Sequence, residues 1–274
     1  MTAGVPSART LPLRVAPAIR PTRALSRRLV ERNVVAYRHG WVFLVSGALE
    51  PLFYLLSIGL GLGHLVGPIR VGRQTIPYAT FVAPGLLASA AMNGAIFDAT
   101  FGIFFKLKIA KTYDAVLASP LGVREVAVGE LAWAMIRGTI YSAAFLAVMA
   151  ALGFVSSWWA ILCLPAAMTV SFAFGAVGMA GTCYMRSWQE FDLVSLTIVP
   201  FFLFSGIFYP LSVYPAWLHV LVEVTPLYQG VAMLRALDTG TVSASLALHA
   251  SYLIGMGAIG LAVATRRLGR LLLP

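Results

Sequence analysis

Charge is what this chain has least of. Only 11% of its 274 residues are Asp, Glu, Lys or Arg, and acids supply 10 of them against 20 cations. A soluble domain carries about a quarter charged residues, so the deficit excludes water as the solvent for most of the chain. Cysteine is almost missing as well. Cys163 and Cys183 are the only two, with no Cys or His partner at ligand spacing, which argues against a disulfide framework or a metal site. They read as small apolar packing residues. The four histidines, His39, His64, His219 and His249, are scattered. The sequence contains no H-E-x-x-H and no Gly-Lys pair, so it has neither a zinc-protease helix nor a phosphate-cradling loop. No catalytic constellation is present, and a pathway is a better reading than an enzyme.

What the chain does have is hydrophobicity: 59% of its residues are apolar and its mean hydropathy is +0.85. Six long apolar stretches run over residues 41–65, 80–105, 126–152, 159–184, 191–209 and 246–264. Each reaches or nearly reaches the ~20 residues that a helix needs to cross the hydrocarbon core. Sixteen of the twenty cations fall in the segments that an even number of crossings puts on one side. These are the N-terminal segment, the second-to-third and fourth-to-fifth connections, and the tail. Short loops rich in Lys and Arg stay inside, so both termini are expected in the cytoplasm. The net charge of +10 belongs to this pattern, where it sets topology and meets anionic lipid headgroups, rather than to nucleic acid.

The expected fold is therefore an all-α integral membrane protein. Residues 1–23, with four prolines among arginines, read as a disordered cytoplasmic arm. Over 24–40, Leu25, Leu29, Val34, Tyr37 and Trp41 recur at helical spacing while arginines occupy other faces, which predicts an amphipathic interfacial helix. Six transmembrane helices fill residues 41–274. Between the fifth and sixth, residues 210–240 break into two short apolar helices separated by Pro226. The segment 213–224 is too short to be a seventh span. An external re-entrant hairpin is the alternative, with Tyr209, Tyr214, Trp217 and Tyr228 as an outer aromatic belt.

Four charges fall within spans: Glu50 in the first, Asp98 in the second, Glu130 and Arg137 in the third. Such groups cost a few kcal/mol in lipid and face protein or water. Two readings stay open at this stage. They line a polar way into a transport path, or they pair with one another, or with Asn93, Ser89 and Thr139, and lock the bundle.

Several motifs carry a family resemblance. Residues Phe201-Phe202-Leu203-Phe204-Ser205-Gly206-Ile207-Phe208-Tyr209-Pro210-Leu211 are followed by Tyr214-Pro215-Ala216-Trp217-Leu218. Thr225-Pro226-Leu227-Tyr228 and Arg235 come next. Upstream lie Glu31-Arg32-Asn33, Glu50-Pro51-Leu52-Phe53-Tyr54-Leu55 and Gly59-Leu60-Gly61-Leu62-Gly63. Phe81-Val82-Ala83-Pro84-Gly85-Leu86 and Gly129-Glu130-Leu131-Ala132-Trp133 complete the set. In this order the chain resembles the ABC-2 exporter permeases over residues 25–270. Within them it is similar to the nodulation-type lipooligosaccharide permeases, and the daunorubicin-resistance-type permeases share the hairpin pattern.

The resemblance implies a permease subunit of a bacterial plasma membrane, with no nucleotide site of its own and binding no cofactor. ATP and magnesium would sit on a separate ABC ATPase subunit. Two six-span units, identical or sibling, would form the path. The cytoplasmic loop 106–124 would dock on the ATPase through Lys108, Lys111, Thr112, Tyr113 and Asp114, with Ser119 and Pro120 setting the turn into the third span. Ser205, Gly206, Pro210, Pro215, Pro226 and Arg235 would form the external hairpin signature. The cargo would be an amphiphile, glycolipid or drug-like, moved outward. A lipid-modifying enzyme and an ATPase-independent channel are the alternatives; the scattered polar groups favour neither.

Overall fold

The structure, a computed structural model, describes residues 23–37, 49–71, 74–118 and 121–272. The arm expected over 1–23 (apart from Arg23), the start of the first span, Ser119 and Pro120 lie outside the described residues.

The chain opens with α1 (Arg23–Tyr37), followed by α2 (Leu49–Val66). A short antiparallel ribbon comes next, β1 (Ile69–Val71) and β2 (Gln74–Ile76), with Ile69 opposite Ile76. Next come α3 (Tyr78–Ile109), a one-and-a-half-turn α4 (Thr112–Leu117), α5 (Val123–Ala151) and α6 (Trp158–Thr182). After α7 (Phe191–Leu203), α8 (Ala216–Val224) and α9 (Pro226–Asp238), the chain ends in α10 (Ser245–Leu272). Helices are what apolar stretches become in lipid, because a helix satisfies its own backbone groups.

Among the described residues, five helices (α2, α3, α5, α6 and α10) are long and apolar enough to cross a membrane, and the α8–α9 pair, bent by 87°, makes a sixth if it is taken as one broken span. The fifth stretch differs from expectation. It was read as a span over 191–209, but the helix stops at Leu203 after 13 residues. That is roughly 20 Å, short of the ~30 Å hydrocarbon core. Pro200 lies in its last turn, and the chain beyond it is irregular. Ser205, Ile207 and Phe208 in that irregular stretch are nevertheless buried, which is the condition under which non-helical backbone is tolerated at membrane depth.

The axis of the bundle is α3, whose most apolar window is 83% buried against 17% for α10. It packs on α5, α6 and α9, and α6 packs on α10. Small residues set these approaches, because lipid supplies no hydrophobic drive between helices and close backbone contact must replace it. At Gly138 on α5, a Cβ would sit on the Ser171 hydroxyl of α6 and 2.8 Å from the Ala91 carbonyl of α3. The Ser171 hydroxyl donates to that same carbonyl at 3.1 Å. Three helices therefore meet at one glycine.

The lead helix also departs from the predicted pattern. Its Leu29 and Asn33 are buried and Tyr37 is half-buried, a stripe at i, i+4 and i+8, whereas Val34 and Val35 are exposed. The stripe lies on α5. There a Cβ on Gly129 would come within 2.9 Å of the Leu29 Cβ and 3.1 Å of the Ser26 carbonyl. The helix is held by protein through a partly polar stripe.

Replacing Gly138 with Val should overpack the three-helix contact and cost about 3 kcal/mol, read as a lower unfolding temperature in detergent. Gly181 on α6, whose Cβ would meet nothing within 4 Å, should accept Ala with a change within about 0.5 kcal/mol.

Candidate functional site

Two ionic clusters lie along α5, seven residues apart and so two turns apart on one face. The deeper one is built on Arg137, of which 3% is exposed. Its Nη1 donates to Asp98 Oδ1 of α3 at 2.6 Å and its Nη2 to the Tyr141 hydroxyl at 2.7 Å. The Tyr37 hydroxyl accepts from Arg137 Nη1 at 3.0 Å and donates to Asp98 Oδ1 at 2.9 Å. Around the guanidinium stand three rings, with centroids 5.2 Å away for Tyr37 and Phe97 and 5.5 Å for Tyr141. Their negative faces complement the cation where water cannot. Burial, and next to it the Asp98 charge, push the Tyr37 phenol up, so the proton it donates stays on it.

The second cluster is built on Glu130, also 3% exposed. Oε2 accepts from Lys106 Nζ at 2.6 Å and from Asn33 Nδ2 at 3.0 Å, and Oε1 accepts from Arg32 Nη2 at 3.1 Å. Lys106 Nζ also donates to Asn33 Oδ1 at 3.1 Å. A carboxylate with two cations and an amide around it is fully occupied. Beside it, Tyr113 of α4 is 1% exposed. Burial pushes its phenol well up, and the Glu130 charge adds to this. Three separate elements (α1, the end of α3 and α4) therefore converge on one side chain of α5.

Both partners on α3 sit where its helix is loosened. Asp98 opens a π-helical turn over Asp98–Gly102 and Lys106 lies in another over Phe105–Ile109. Such turns swing side chains off the regular α positions.

The residues singled out from sequence are distributed as follows. Asp98 and Arg137 come together, as one of the two open readings had it. Glu130 does not join them and pairs with Arg32, Asn33 and Lys106 instead. Thr139 is spent on its own helix, donating to the Met135 carbonyl at 2.7 Å. Glu50 is exposed and enters neither cluster. In the loop after α3 and in α4, Lys108, Lys111 and Asp114 are exposed and Thr112 is half-buried, whereas Tyr113 faces inward, so its side chain is withdrawn from the surface on which it was expected. Lys111 takes a left-handed conformation, φ 47°, which ends the long α3 and lets α4 turn away. Arg32, Asn33, Tyr37, Lys106 and Tyr141 were missed as partners. Two signals for them were available: Asn33 shares the Leu29–Tyr37 stripe, and Tyr141 follows Arg137 by one turn.

The hairpin residues form a third assembly. Arg235 of α9 lies 4.0 Å over the Phe81 ring and donates through Nη2 to the Gly206 carbonyl at 2.8 Å and the Phe81 carbonyl at 3.3 Å. Ser205 Oγ donates to the Phe202 carbonyl at 3.1 Å. Pro215 precedes α8, and Pro226 opens α9 behind Thr225, whose hydroxyl accepts from the Tyr228 N–H at 3.4 Å. Pro210 leads into a single 3₁₀ turn over Leu211–Val213. No group of three His, Cys, Asp or Glu able to hold a metal occurs among the described residues.

Residues 25–238 match the ABC-2 type transporter family. Nodulation protein J of Rhizobium leguminosarum bv. trifolii is 31% identical over 212 residues, covering 76% of this chain and 79% of that protein. Nodulation protein J of Sinorhizobium fredii is 30% identical over 81% of this chain and 84% of its own length. That of Rhizobium meliloti is 26% identical over 89% and 92%.

Removing one member of the buried Asp98–Arg137 pair leaves the other charge uncompensated. Arg137→Met alone should cost about 3–5 kcal/mol of stability. Combined with Asp98→Asn, the loss should fall well below the sum of the two single losses. Unfolding in detergent of the two single variants and the double variant measures this; strictly additive losses would show that the two groups are not coupled.

Proposed function

The chain belongs to the ABC-2 type transporter family, and from that premise we propose that it is the membrane subunit of an ATP-driven exporter that moves an amphiphile outward. It is a transporter membrane subunit rather than a catalytic enzyme. In our reading two copies, or this chain and a sibling, form the path in a bacterial plasma membrane with both termini inside. ATP and magnesium are held by a separate ATPase subunit. The resemblance of the sequence motifs to the nodulation-type lipooligosaccharide permeases leads us to propose a lipooligosaccharide-like cargo. Asp98, Glu130 and Arg137 act as locks of the bundle, because each is engaged by protein groups.

One observation carries the coupling part of this reading: the convergence of α1, the end of α3 and α4 on Glu130. The short helix α4 has Lys111 and Asp114 exposed on and beside it, with Lys108 just before. Its inward residue, Tyr113, is buried within electrostatic reach of Glu130 and Arg32. A force applied to α4 by an ATPase is therefore delivered to α5 and α1 through a packed, charged junction, since close-packed interiors transmit displacement. ATP binding and hydrolysis then shift the paired bundles between inward-open and outward-open arrangements, and the amphiphile leaves on the outer side.

Charge reversal on the exposed face tests the docking assignment. Lys108→Glu with Lys111→Glu should weaken capture of the co-expressed cognate ATPase by at least about tenfold, because like charges replace matched ones. Thermal stability should barely move, as both side chains are exposed. Undiminished capture and undiminished stimulation of ATP hydrolysis would overturn the assignment.

A further inference from the structure

A cavity of about 280 Å³ lies between α3, α6, α7 and α10. Gly178, Gly181 and Met185 line one wall, Thr197 and Phe201 the opposite one, and Pro226 belongs to its lining too. It exists because α7 stands off the bundle: of that helix only Phe191 is buried. Between Leu193 and Phe201, both on its wall, α7 rises by roughly 12 Å.

The walls offer water nothing. Two hydroxyls reach the cavity, and both are spent on their own helices: Thr100 donates to the Ile96 carbonyl at 2.7 Å and Thr197 to the Leu193 carbonyl at 2.8 Å. An open slot without free polar partners gives water little to bind. Its lining then lacks dispersion contacts that a hydrocarbon would supply. Gly181 adds to this, because a Cβ there meets open space.

The end of the cavity near Met185 has the opposite character. Arg186, the next residue, is exposed. Arg267 lies 4.7 Å over the Tyr184 ring, and both Arg267 and Lys108 act electrostatically on Cys183. Three cations thus act around residues 183–186, offset in part by the Glu190 carboxylate, which accepts from the Arg186 N–H at 3.2 Å, and the apolar slot leads away from this net positive mouth.

We propose that this slot holds one acyl chain of an anionic phospholipid of the surrounding membrane, its headgroup lying on the cations around Arg186. The position of the headgroup in the inner leaflet rests on the orientation proposed above; the slot and its chemistry do not. A slot between apolar helices gains nothing from burial alone in lipid, so occupancy comes from filling the void and from the charge at its mouth. The bound chain completes the packing between α7 and the rest of the bundle.

The test uses the full chain in vesicles of phosphatidylglycerol and phosphatidylcholine, with a photoactivatable group on the acyl chain of one lipid or the other. No ATPase and no ATP are needed, so failure of the exporter reading would leave this result unaffected. Phosphatidylglycerol is expected to label α6 and α7 about fivefold more than phosphatidylcholine for each cation it meets. Arg186→Gln should reduce that preference. Gly181→Phe, at a position where an added Cβ meets nothing within 4 Å, fills the slot from α6, and Thr197→Phe fills it from α7. Each should lower labelling roughly fivefold, the loss of about 1 kcal/mol. Labelling unchanged in both filled variants would overturn the slot. Equal labelling by the two lipids would overturn the anionic assignment.

Discussion

A carboxylate buried inside a membrane helix bundle has to find its counter-charges within the protein, and Glu130 shows how much structure that requirement dictates. Its partners Arg32 and Lys106 lie 98 and 24 residues away in sequence. Removing either would leave charge in a place where it is expensive. The helix α1 is therefore pinned to the bundle. The adjacent Gly129 is part of the same solution, since its missing side chain lets α1 come close enough for Arg32 and Asn33 to reach the carboxylate. One dipeptide both admits the helix and holds it. With Tyr113 buried alongside, the end of the molecule that carries α4 is organised around a single side chain.

The same accounting explains the break after α7. Once the helix ends at Leu203, the carbonyls that follow need donors, and lipid has none. Arg235 answers by reaching from α9 to the Gly206 carbonyl while its plane covers the Phe81 ring. A guanidinium suits this position because it can donate in its plane and stack on its face at once. A lysine at the same place would retain charge and lose the stacking. The hairpin signature is thus a set of residues that makes an irregular segment tolerable inside the bundle.

This bears on what was legible in the sequence. The five long spans could be read because twenty consecutive apolar residues admit few other structures. The site for α4 could be read because the residues around Lys111 are the most polar away from the ends. The length of α7 could not be read, because residues 204–209 are as apolar as a helix would be and the donor that makes their irregular path tolerable, Arg235, lies far along the chain. The face of α1 was misjudged for a related reason. Leu29 fits an apolar stripe, but Asn33 and Tyr37 continue it inward only because Glu130 and Asp98 wait there. Hydropathy shows which side of a helix dislikes water; it does not show which polar residue has a partner. Asp98 and Arg137 were visible as charges in the wrong solvent, but the 2.6 Å contact between them was not.

Glu50 carries the reasoning one step further. Asp98, Glu130 and Arg137 are all enclosed, yet Glu50 is exposed on α2 beside Leu49, Phe53 and Tyr54, which are exposed as well. Hydrocarbon against that face would cost a few kcal/mol for the carboxylate alone. The aromatic and aliphatic neighbours would tolerate lipid, but Glu50 would not. In the proposed two-copy assembly this cost is removed if α2 lines the path between the copies, where a carboxylate meets water or a polar part of the cargo. The enclosed charges would then hold each bundle rigid, while the single open one marks the side on which the bundles face each other.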